Sequence, residues 1–275
     1  MMLRIHCLQQ WFGLSDLAAE EALFEMTLYR DFCGLSGANR IPDRVSILRF
    51  RHLLEEHGLS PRILQIINDK LGAQGLMLKT GTVVDATLIA APGSTKNNDG
   101  KRDSVMHQVK KGNQWHMIEG HPNGWGMKAH IGVDAESGMV HTVIGTAANV
   151  NDVTQGHALL HGEEQIVFAD AGYQGAARRP EATGVDWHVA MRPGKRKQQK
   201  HTPWGALAEQ AEKLKASIRT KVEHPFRVIK RQFGYTKVRY RGLAKNTAQL
   251  FTLFALFALS NIWMARRVLM HRAQA

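Results

Sequence analysis

The chain has 275 residues, and its 36 Lys and Arg side chains exceed its 24 Asp and Glu side chains, giving a formal net charge of +12. With 44% hydrophobic and 22% charged residues, the composition is that of a globular protein and excludes a disordered or fibrous one. The only cysteines, Cys7 and Cys33, exclude a disulfide framework and indicate a reducing, cytoplasmic setting, with Cys33 a packed thiol rather than a nucleophile.

The first 75 residues predict a helical region. Ser15 caps a run that extends to about Phe32, residues 45–57 form a second run, and Pro61 marks the first turn of a third. Such a succession of short helices fits either a helix-turn-helix or a plain bundle, and its slightly negative charge argues against direct DNA contact. We expect residues 1–75 to form an N-terminal domain that serves dimerisation or the binding of DNA ends.

From residue 76 onward the sequence predicts strands and then helices. β-Branched residues are frequent in residues 76–89, and the Gly, Ser and Asp content of residues 134–138 is typical of a hairpin turn. Other predicted strands are residues 128–133, 139–145, 165–169 and 186–191. A helix is predicted from Asn151 to about Leu160, a basic loop at residues 192–201, and helices beyond. This order predicts an α/β fold with a mixed sheet in a second domain, residues 76–275.

One stretch has the length of a membrane span. Residues 246–265 contain 20 residues without a charge, between Lys245 and Arg266. Polar side chains such as Asn246 and Gln249 interrupt the stretch, and no other segment resembles a span or an export signal. We therefore predict a buried core helix here and no association with a membrane.

The charge is divided unevenly along the chain. Residues 1–170 carry 15 basic and 19 acidic side chains, a net −4, whereas residues 171–275 carry 21 and 5, a net +16. A stretch of that charge repels itself unless it meets a polyanion. Nucleic acid is therefore the leading partner class and a membrane surface the second.

Two aspartates occupy positions suited to metal-dependent phosphoryl transfer, which needs divalent cations held by carboxylates. Asp85 interrupts an apolar strand, and Asp170 follows a short apolar strand directly, where α/β sheets place ligand-binding groups. Each aspartate alone also fits a cap or a turn. Asp134 and Asp152 fit those structural roles better, in the hairpin turn and at a helix start.

A third candidate acid lies within a basic cluster. Glu223 is the one acid between residues 219 and 245, among Arg219, Lys221, Arg227, Lys230, Arg231, Lys237, Arg239, Arg241 and Lys245. At about 100° per residue, Glu223 lies about 40° and Lys230 about 20° from Arg219, so the three share one helix face. That face offers a metal ligand between phosphate-binding cations, although an ordinary Arg219–Glu223 pair explains the spacing equally well. Pro225 is expected to kink the helix.

Three spaced motifs together resemble the DDE transposases of bacterial insertion sequences, specifically the insertion-sequence 5 family. They are Val83-Val84-Asp85-Ala86-Thr87, Phe168-Ala169-Asp170-Ala171-Gly172-Tyr173, and Arg219-x3-Glu223-x6-Lys230. The likeness extends through residues 126–134 and 239–246. The family implies an RNase H-like catalytic core, two Mg²⁺ ions with Mn²⁺ able to substitute, and cleavage and joining at transposon ends. It makes Asp85, Asp170 and Glu223 the metal-binding triad.

The resemblance also implies the partners. Arg219 and Lys230 become signature cations near transposon-end and target double-stranded DNA, and we expect the same of Arg227, Arg231, Lys237, Arg239 and Arg241. A homodimer located in the cytoplasm at the nucleoid is expected. The chain departs from the family at Ala216, where a tyrosine is usual, at residues 117–125, which resemble an insertion, and in an N-terminal region that we expect to be incomplete.

The sequence thus predicts a metal-dependent DNA transposase. Two alternatives use the same residues differently: a DNA hydrolase that cleaves without joining, and a truncated, inactive relative that binds DNA as a regulator. Zinc is not expected, because His107, His116, His121 and His130 lack paired-ligand spacing. No glycine-rich phosphate loop precedes a helix, which argues against ATP or a dinucleotide.

Overall fold

The computed structural model describes residues 1–37, 40–93, 95–96, 100–111, 114–115, 124–182, 184–199 and 202–272. The chain divides into two units by its internal contacts. The first comprises Met1–Ile67, Val228–Thr236 and Ala248–Ala275, and the second comprises Asn68–Arg227 and Lys237–Thr247. The proposed division of the chain after residue 75 stays a prediction.

Helices build the first unit. They are α1 (Met2–Phe12), α2 (Asp16–Glu25), α3 (Thr27–Cys33), α4 (Arg44–Glu56) and, in large part, α5 (Leu59–Ala73). Ser15 caps α2 as predicted, its Oγ accepting a hydrogen bond from the Ala18 N–H at 3.1 Å. The predicted single run to Phe32 is wrong, because Met26 takes an extended conformation that separates α2 from α3.

The core of this unit is apolar and includes Cys33. It consists of Ile5, Leu8, Ala19, Leu23, Cys33, Leu35 and Ile47. The C-terminal helix α9 (Leu243–Arg272) adds buried side chains from Leu250 to Ala258, and Gln249 donates to Gln10 of α1 at 2.7 Å. The sequence predicts a buried core helix at residues 246–265 rather than a membrane span, and the buried positions up to Ala258 confirm a core helix there. None of the described helices is long and apolar enough to cross a membrane.

A mixed sheet is the centre of the second unit. Its strands are β1 (Gly81–Ala90), β2 (His107–Gln108), β5 (Trp125–Asp134), β6 (Val140–Ala147), β7 (Ile166–Ala169) and β8 (Asp186–Val189), and β3 (Lys110–Lys111) pairs with β4 (Gln114–Trp115) apart from them. The order β6-β5-β1-β7-β8 combines antiparallel pairing among the first three with parallel pairing of β1, β7 and β8. The predicted mixed α/β sheet is confirmed.

The predicted hairpin turn is also confirmed. Asp134 is fully buried, and its carboxylate accepts hydrogen bonds from the Lys79 N–H at 3.0 Å and from the N–H and hydroxyl of Ser137 at 2.8 and 2.5 Å. It therefore has the structural role that the sequence indicates.

Helices α6 (Asp152–Gln155), α7 (Pro193–Gln199) and α8 (Gly205–Arg227) connect or cover the strands. The helix predicted to run to Leu160 is only four residues long, and a 3₁₀ turn follows at His157–Leu159. Most of the predicted basic loop is α7, which has no buried residue and therefore lacks the apolar periodicity that reveals helices. Two hydrogen bonds from the Arg196 guanidinium to Glu209, at 3.0 and 2.6 Å, join α7 to α8.

The sequence also predicts a kink at Pro225 and an insertion at residues 117–125. Pro225 stays inside α8, which ends two residues later, and the chain continues as a π-helical segment, Val228–Gln232. Most of the insertion expected at residues 117–125 lies outside the described residues.

Gly145 allows β6 to approach the start of α9. A Cβ added at this position would collide with Thr247 Oγ1 and lie 3.1 Å from the Met127 methyl carbon. We expect Gly145→Ala to lower the free energy of unfolding by about 2–3 kcal/mol, because the packed neighbours would have to move. Urea denaturation measures the change. Gly72→Ala in α5, where a Cβ meets nothing within 4 Å, should leave stability equal or higher; equal losses in both variants would contradict the close approach.

A partly buried ion pair ties α2 to α4. Arg51 donates to both oxygens of Asp16 at 2.6 and 3.0 Å, and Gln9 donates to one of them at 2.6 Å. Burial tends to raise the pKa of Asp16, but the hydrogen bonds from Arg51 and Gln9 outweigh it and hold the pKa below its ordinary value.

This pair should make stability depend on pH. A carboxylate with a lowered pKa in the folded state stabilises the fold above its unfolded pKa of about 3.9, and the contribution disappears as pH falls through the folded pKa. We expect Asp16→Asn to cost about 1–2 kcal/mol at pH 7 and less as the medium becomes more acidic. Denaturant titrations at pH 7 and pH 3 test this. Glu25→Gln, which changes an exposed side chain, should show no such trend.

Candidate active site

Asp85 and Asp170 come together because two parallel strands end their pairing at the same level. The register of β1 and β7 runs from Gly81 with Ile166 to Val84 with Ala169. Asp85 and Asp170 are the next residue on each strand. β1 continues to Ala90, whereas β7 ends at Ala169. The two aspartates therefore lie at the point where β1 loses its neighbour β7.

The surroundings of Asp85 disfavour its charge. Burial, and then the neighbouring carboxylates of Asp170 and Asp152, raise its pKa to about 7, against the lowering effects of the Ala86 N–H and of Arg219. Its Oδ1 accepts the Ala86 N–H at 2.7 Å. An anion in this position gains from any cation that binds between the acids.

Asp170 also caps the turn that follows it. Its Oδ1 accepts the Gly172 N–H at 2.8 Å at the start of a 3₁₀ turn, Ala171–Tyr173. The side chain is partly exposed, so the carboxylate retains acceptor sites that face solvent. Both readings of this residue, turn aspartate and site carboxylate, are compatible with its position.

Asp152 is a site residue that the sequence analysis missed. It was interpreted as a helix cap, but Asn151 holds that position and Asp152 pairs with Lys128 on β5, Nζ to Oδ1 being 2.8 Å. Lys128 also donates to the Val150 carbonyl at 2.6 Å. Asp152 is separated from the preceding strand, which ends at Ala147, so its sequence position gave no signal of the kind that Asp170 gives directly after β7.

Tyr173 brings a second overlooked group to the same place. Its ring is fully buried, and its hydroxyl has no hydrogen-bond partner among the residues that the structure describes. Burial raises its pKa well above the ordinary value, and Asp85, Asp152 and Asp170 raise it further. The neutral phenol thus lies under the electrostatic influence of all three carboxylates.

Helix α8 packs on β1, β5 and β7 and carries the remaining candidates. Buried Glu212 accepts the Met191 N–H at 2.9 Å just after β8, and Lys221 donates to the Ala135 carbonyl at 2.5 Å in the hairpin turn. These two anchors fix α8 across the sheet. Arg219, between them, is close enough to lower the pKa of Asp85.

Glu223 lies on α8 one turn beyond Arg219, with an exposed side chain. The structure brings Asp85 and Asp170 together but does not gather Glu223 with them: within the described part of the chain, these three carboxylates form no compact three-donor group. Lys230 lies in the π-helical segment of the first unit.

Most of the other candidate DNA-binding cations are exposed. Arg227, Arg231, Lys237, Arg239 and Arg241 all have exposed side chains. Lys237 pairs with Ala90 at the far end of β1, and the Val238 N–H donates to the Ala90 carbonyl at 2.8 Å. Asn246, fully buried, holds the following turn by donating to the carbonyls of Tyr240 and Gly242, both at 2.7 Å. The segment from 237 to 241 therefore presents its charges beside the strand that carries Asp85.

A cleft of about 700 Å³ opens along β1 just past Asp85. Residues 86–88 of β1 line it, together with Lys128, Asp152, His107 and Trp125. The guanidinium of Arg102 lies 5.4 Å from the centre of the Trp125 ring. Aromatic rings and cations along a groove suit a nucleic-acid strand.

Comparison with known families agrees with this arrangement. No solved structure matches the chain. Residues 1–53 match the family described as Transposase domain (DUF772), and residues 77–259 match the family described as Transposase DDE domain. The DDE domain implies an RNase H-like core, which the mixed sheet and its covering helices accommodate. Since the second match covers 183 of the 275 residues, the chain belongs to the DDE transposase family.

Proposed function

We propose that this transposase cleaves the phosphodiester bond at the ends of an insertion sequence and joins the freed 3′-hydroxyl to target double-stranded DNA. The observation that carries the proposal is the adjacency of Asp85 and Asp170 where β7 stops pairing with β1. Placement within the insertion-sequence 5 family is part of the proposal and is supported by the spacing of Arg219, Glu223 and Lys230.

The carboxylates fit Mg²⁺, with Mn²⁺ as a substitute, because hard divalent cations take oxygen ligands. Partly buried Asp85 beside Asp170 and Asp152 is a concentration of negative charge that a cation would relieve. Asp85 and Asp170 would hold two ions from the sheet, and Glu223 would hold them from α8. Two bound ions supply activation of the attacking oxygen and stabilisation of the leaving oxygen.

Cationic side chains would position the DNA. Arg219 places positive charge next to Asp85 and would bind the scissile phosphate, for which a guanidinium is well shaped. Lys230 and the exposed cations Arg227, Arg231, Lys237, Arg239 and Arg241 would bind flanking phosphates. These contacts are independent of base sequence, so recognition of the terminal repeat must use other groups.

We further propose that the active form is a homodimer working on DNA in the cytoplasm, at the nucleoid. Support for the dimer comes from large apolar side chains left exposed in the first unit, among them Phe12, Phe24 and Leu28. Light scattering on the full chain, with and without a DNA duplex that carries the terminal repeat, measures the oligomeric state.

Replacement of the triad tests the catalytic assignment. The substrate is a duplex ending in the inverted repeat found in the DNA that flanks the coding region. With Mg²⁺, we expect Asp85→Asn, Asp170→Asn and Glu223→Gln each to reduce cleavage and joining at least about 1,000-fold, because each removes a metal ligand. Affinity for the duplex should stay equal or rise, since negative charge is lost. Gel assays of cleaved and joined products give the rates.

Asp186→Asn is the matched control, since it neutralises an exposed aspartate of the same sheet. It should leave both reactions unchanged. Cleavage that survives all three triad replacements would refute the assignment, and cleavage of a repeat-bearing duplex without any joined product would identify a hydrolase instead.

Neutralising Asp85 should also stabilise the metal-free protein. Burial of the Asp85 charge, and its repulsion by Asp170 and Asp152, oppose folding when no cation is bound. In EDTA at pH 8 we expect Asp85→Asn to raise the melting temperature by about 2–5 °C. Mg²⁺ should raise the melting temperature of the original chain more than that of the variant. Differential scanning calorimetry decides; a lower melting temperature for Asp85→Asn would contradict the repulsion.

A further inference from the structure

Two histidines and a glutamate meet near the beginning of β1, away from the proposed catalytic carboxylates. His141 lies on β6, and His161 and Glu164 lie in the segment that leads into β7. One ligand atom from each of the three side chains lies within 4.8 Å of the other two. The Glu164 side chain is fully buried, and that of His161 is only 10% exposed. Side chains from β6 and from the segment before β7 thus form one compact, largely buried group.

Hydrogen bonds hold the carboxylate of this group in place. Glu164 Oε1 accepts the Thr82 hydroxyl at 3.0 Å and the backbone N–H of His161 at 2.6 Å, and Oε2 accepts the backbone N–H of Gly162 at 2.7 Å. A buried carboxylate anion normally needs a cation beside it.

Two imidazoles lie beside that carboxylate. A neutral imidazole is the form that binds metals. The rings stand edge to face with their centres 4.8 Å apart, and His161 Nε2 lies 3.3 Å from Glu164 Oε1.

One atom of the group has no hydrogen-bond partner. His161 Nε2 is buried and makes no hydrogen bond among the residues that the structure describes, although Glu164 Oε1 lies 3.3 Å away. Polar atoms left in this condition are rare, and they commonly bind an ion or a water molecule. Its position beside Glu164 and His141 puts the unpaired atom toward the centre of the cluster.

The surroundings prepare the His141 ring for such a role. Its Nδ1 lies 2.8 Å from Thr142 Oγ1, and its Nε2 lies 3.0 Å from Thr82 Oγ1. A Cβ on Gly132 would come within 2.7 Å of the His141 Cε1 atom, so the glycine leaves the space that the ring occupies. Metal binding through His141 would replace one of these two hydrogen bonds, and the other would orient the ring and strengthen the ligand.

We propose that His141, His161 and Glu164 bind one divalent transition-metal ion, with Zn²⁺ the best match. Two imidazole nitrogens and a carboxylate oxygen are a donor set that Zn²⁺ accepts and that Mg²⁺ disfavours. The site is distinct from the catalytic carboxylates, because Thr82 and Asp85 project from opposite faces of β1. The ion would join β6 to the segment before β7, and through Thr82 to β1. It would support the strands that carry Asp85 and lead to Asp170, without taking part in the chemistry.

Cobalt binding to the full chain tests the proposal. Asp85→Asn/Asp170→Asn is used as the background so that the catalytic carboxylates contribute no binding. We expect one equivalent of Co²⁺ to give a visible absorption band typical of nitrogen ligation, and Zn²⁺ to displace it. Adding His161→Gln should weaken binding at least about 100-fold, and Glu164→Gln should do the same while keeping the carboxamide oxygen as an acceptor for the backbone N–H groups. Circular dichroism confirms that each variant folds.

His57→Gln is the matched control, since it removes an exposed histidine outside the cluster. It should bind Co²⁺ as the background does. Zn²⁺ should also raise the melting temperature of the background by about 5 °C relative to EDTA, and not that of the His161→Gln variant. The proposal is overturned if the background binds no stoichiometric Co²⁺, or if the His161 and Glu164 variants bind it as tightly as the control. If either variant fails to fold, the stoichiometry and the spectrum of the background decide alone.

Discussion

The parallel pairing of β1 with β7 is the constraint on which the proposed site depends. The strands pair at four positions, the last being Val84 with Ala169. The next residue in each segment is an aspartate, so this register places Asp85 and Asp170 side by side. A shift of the register by one residue would separate the acids and turn one of them to the other face of the sheet. The buried core around Val84, Val167 and Ala169 makes such a shift costly. The apolar packing of the residues directly before the two acids therefore fixes the position of the acids.

Two kinds of charge are arranged around this register. Burial, and then the carboxylates of Asp170 and Asp152, raise the pKa of Asp85, and Arg219 on α8 opposes this effect. Lys128 on β5 pairs with Asp152. The basic segment 237–241 lies further along the same strand. The acidic and basic parts of the chain are thus separate in sequence and adjacent in the second unit, which is the arrangement that an enzyme acting on a polyanion through metal ions requires.

Local pattern was enough to predict the five longer strands and the hairpin turn, but not the two-residue strands β2, β3 and β4. The family was predicted from the resemblance of three spaced motifs. Asp85 inside an apolar strand and Asp170 after one were recognisable because sheets place functional groups at such positions. The break at Met26 and the helix α7 escaped because neither is marked by apolar periodicity. Asp152 and the cluster of His141, His161 and Glu164 escaped for a different reason. Their members become neighbours only through the pairing of strands and the loops between them.

The position of helix α9 bears on how truncated alleles of this gene are interpreted. Its first residues, including Asn246, belong to the second unit, and its residues from Ala248 onward belong to the first. All the residues proposed to act on DNA precede residue 248, whereas Leu250, Phe254 and Phe257 are core side chains. An allele with a stop codon near 248 would retain every proposed catalytic group and lose much of the core of the other unit. Preservation of the three acids in a shortened relative is therefore poor evidence that the relative still folds.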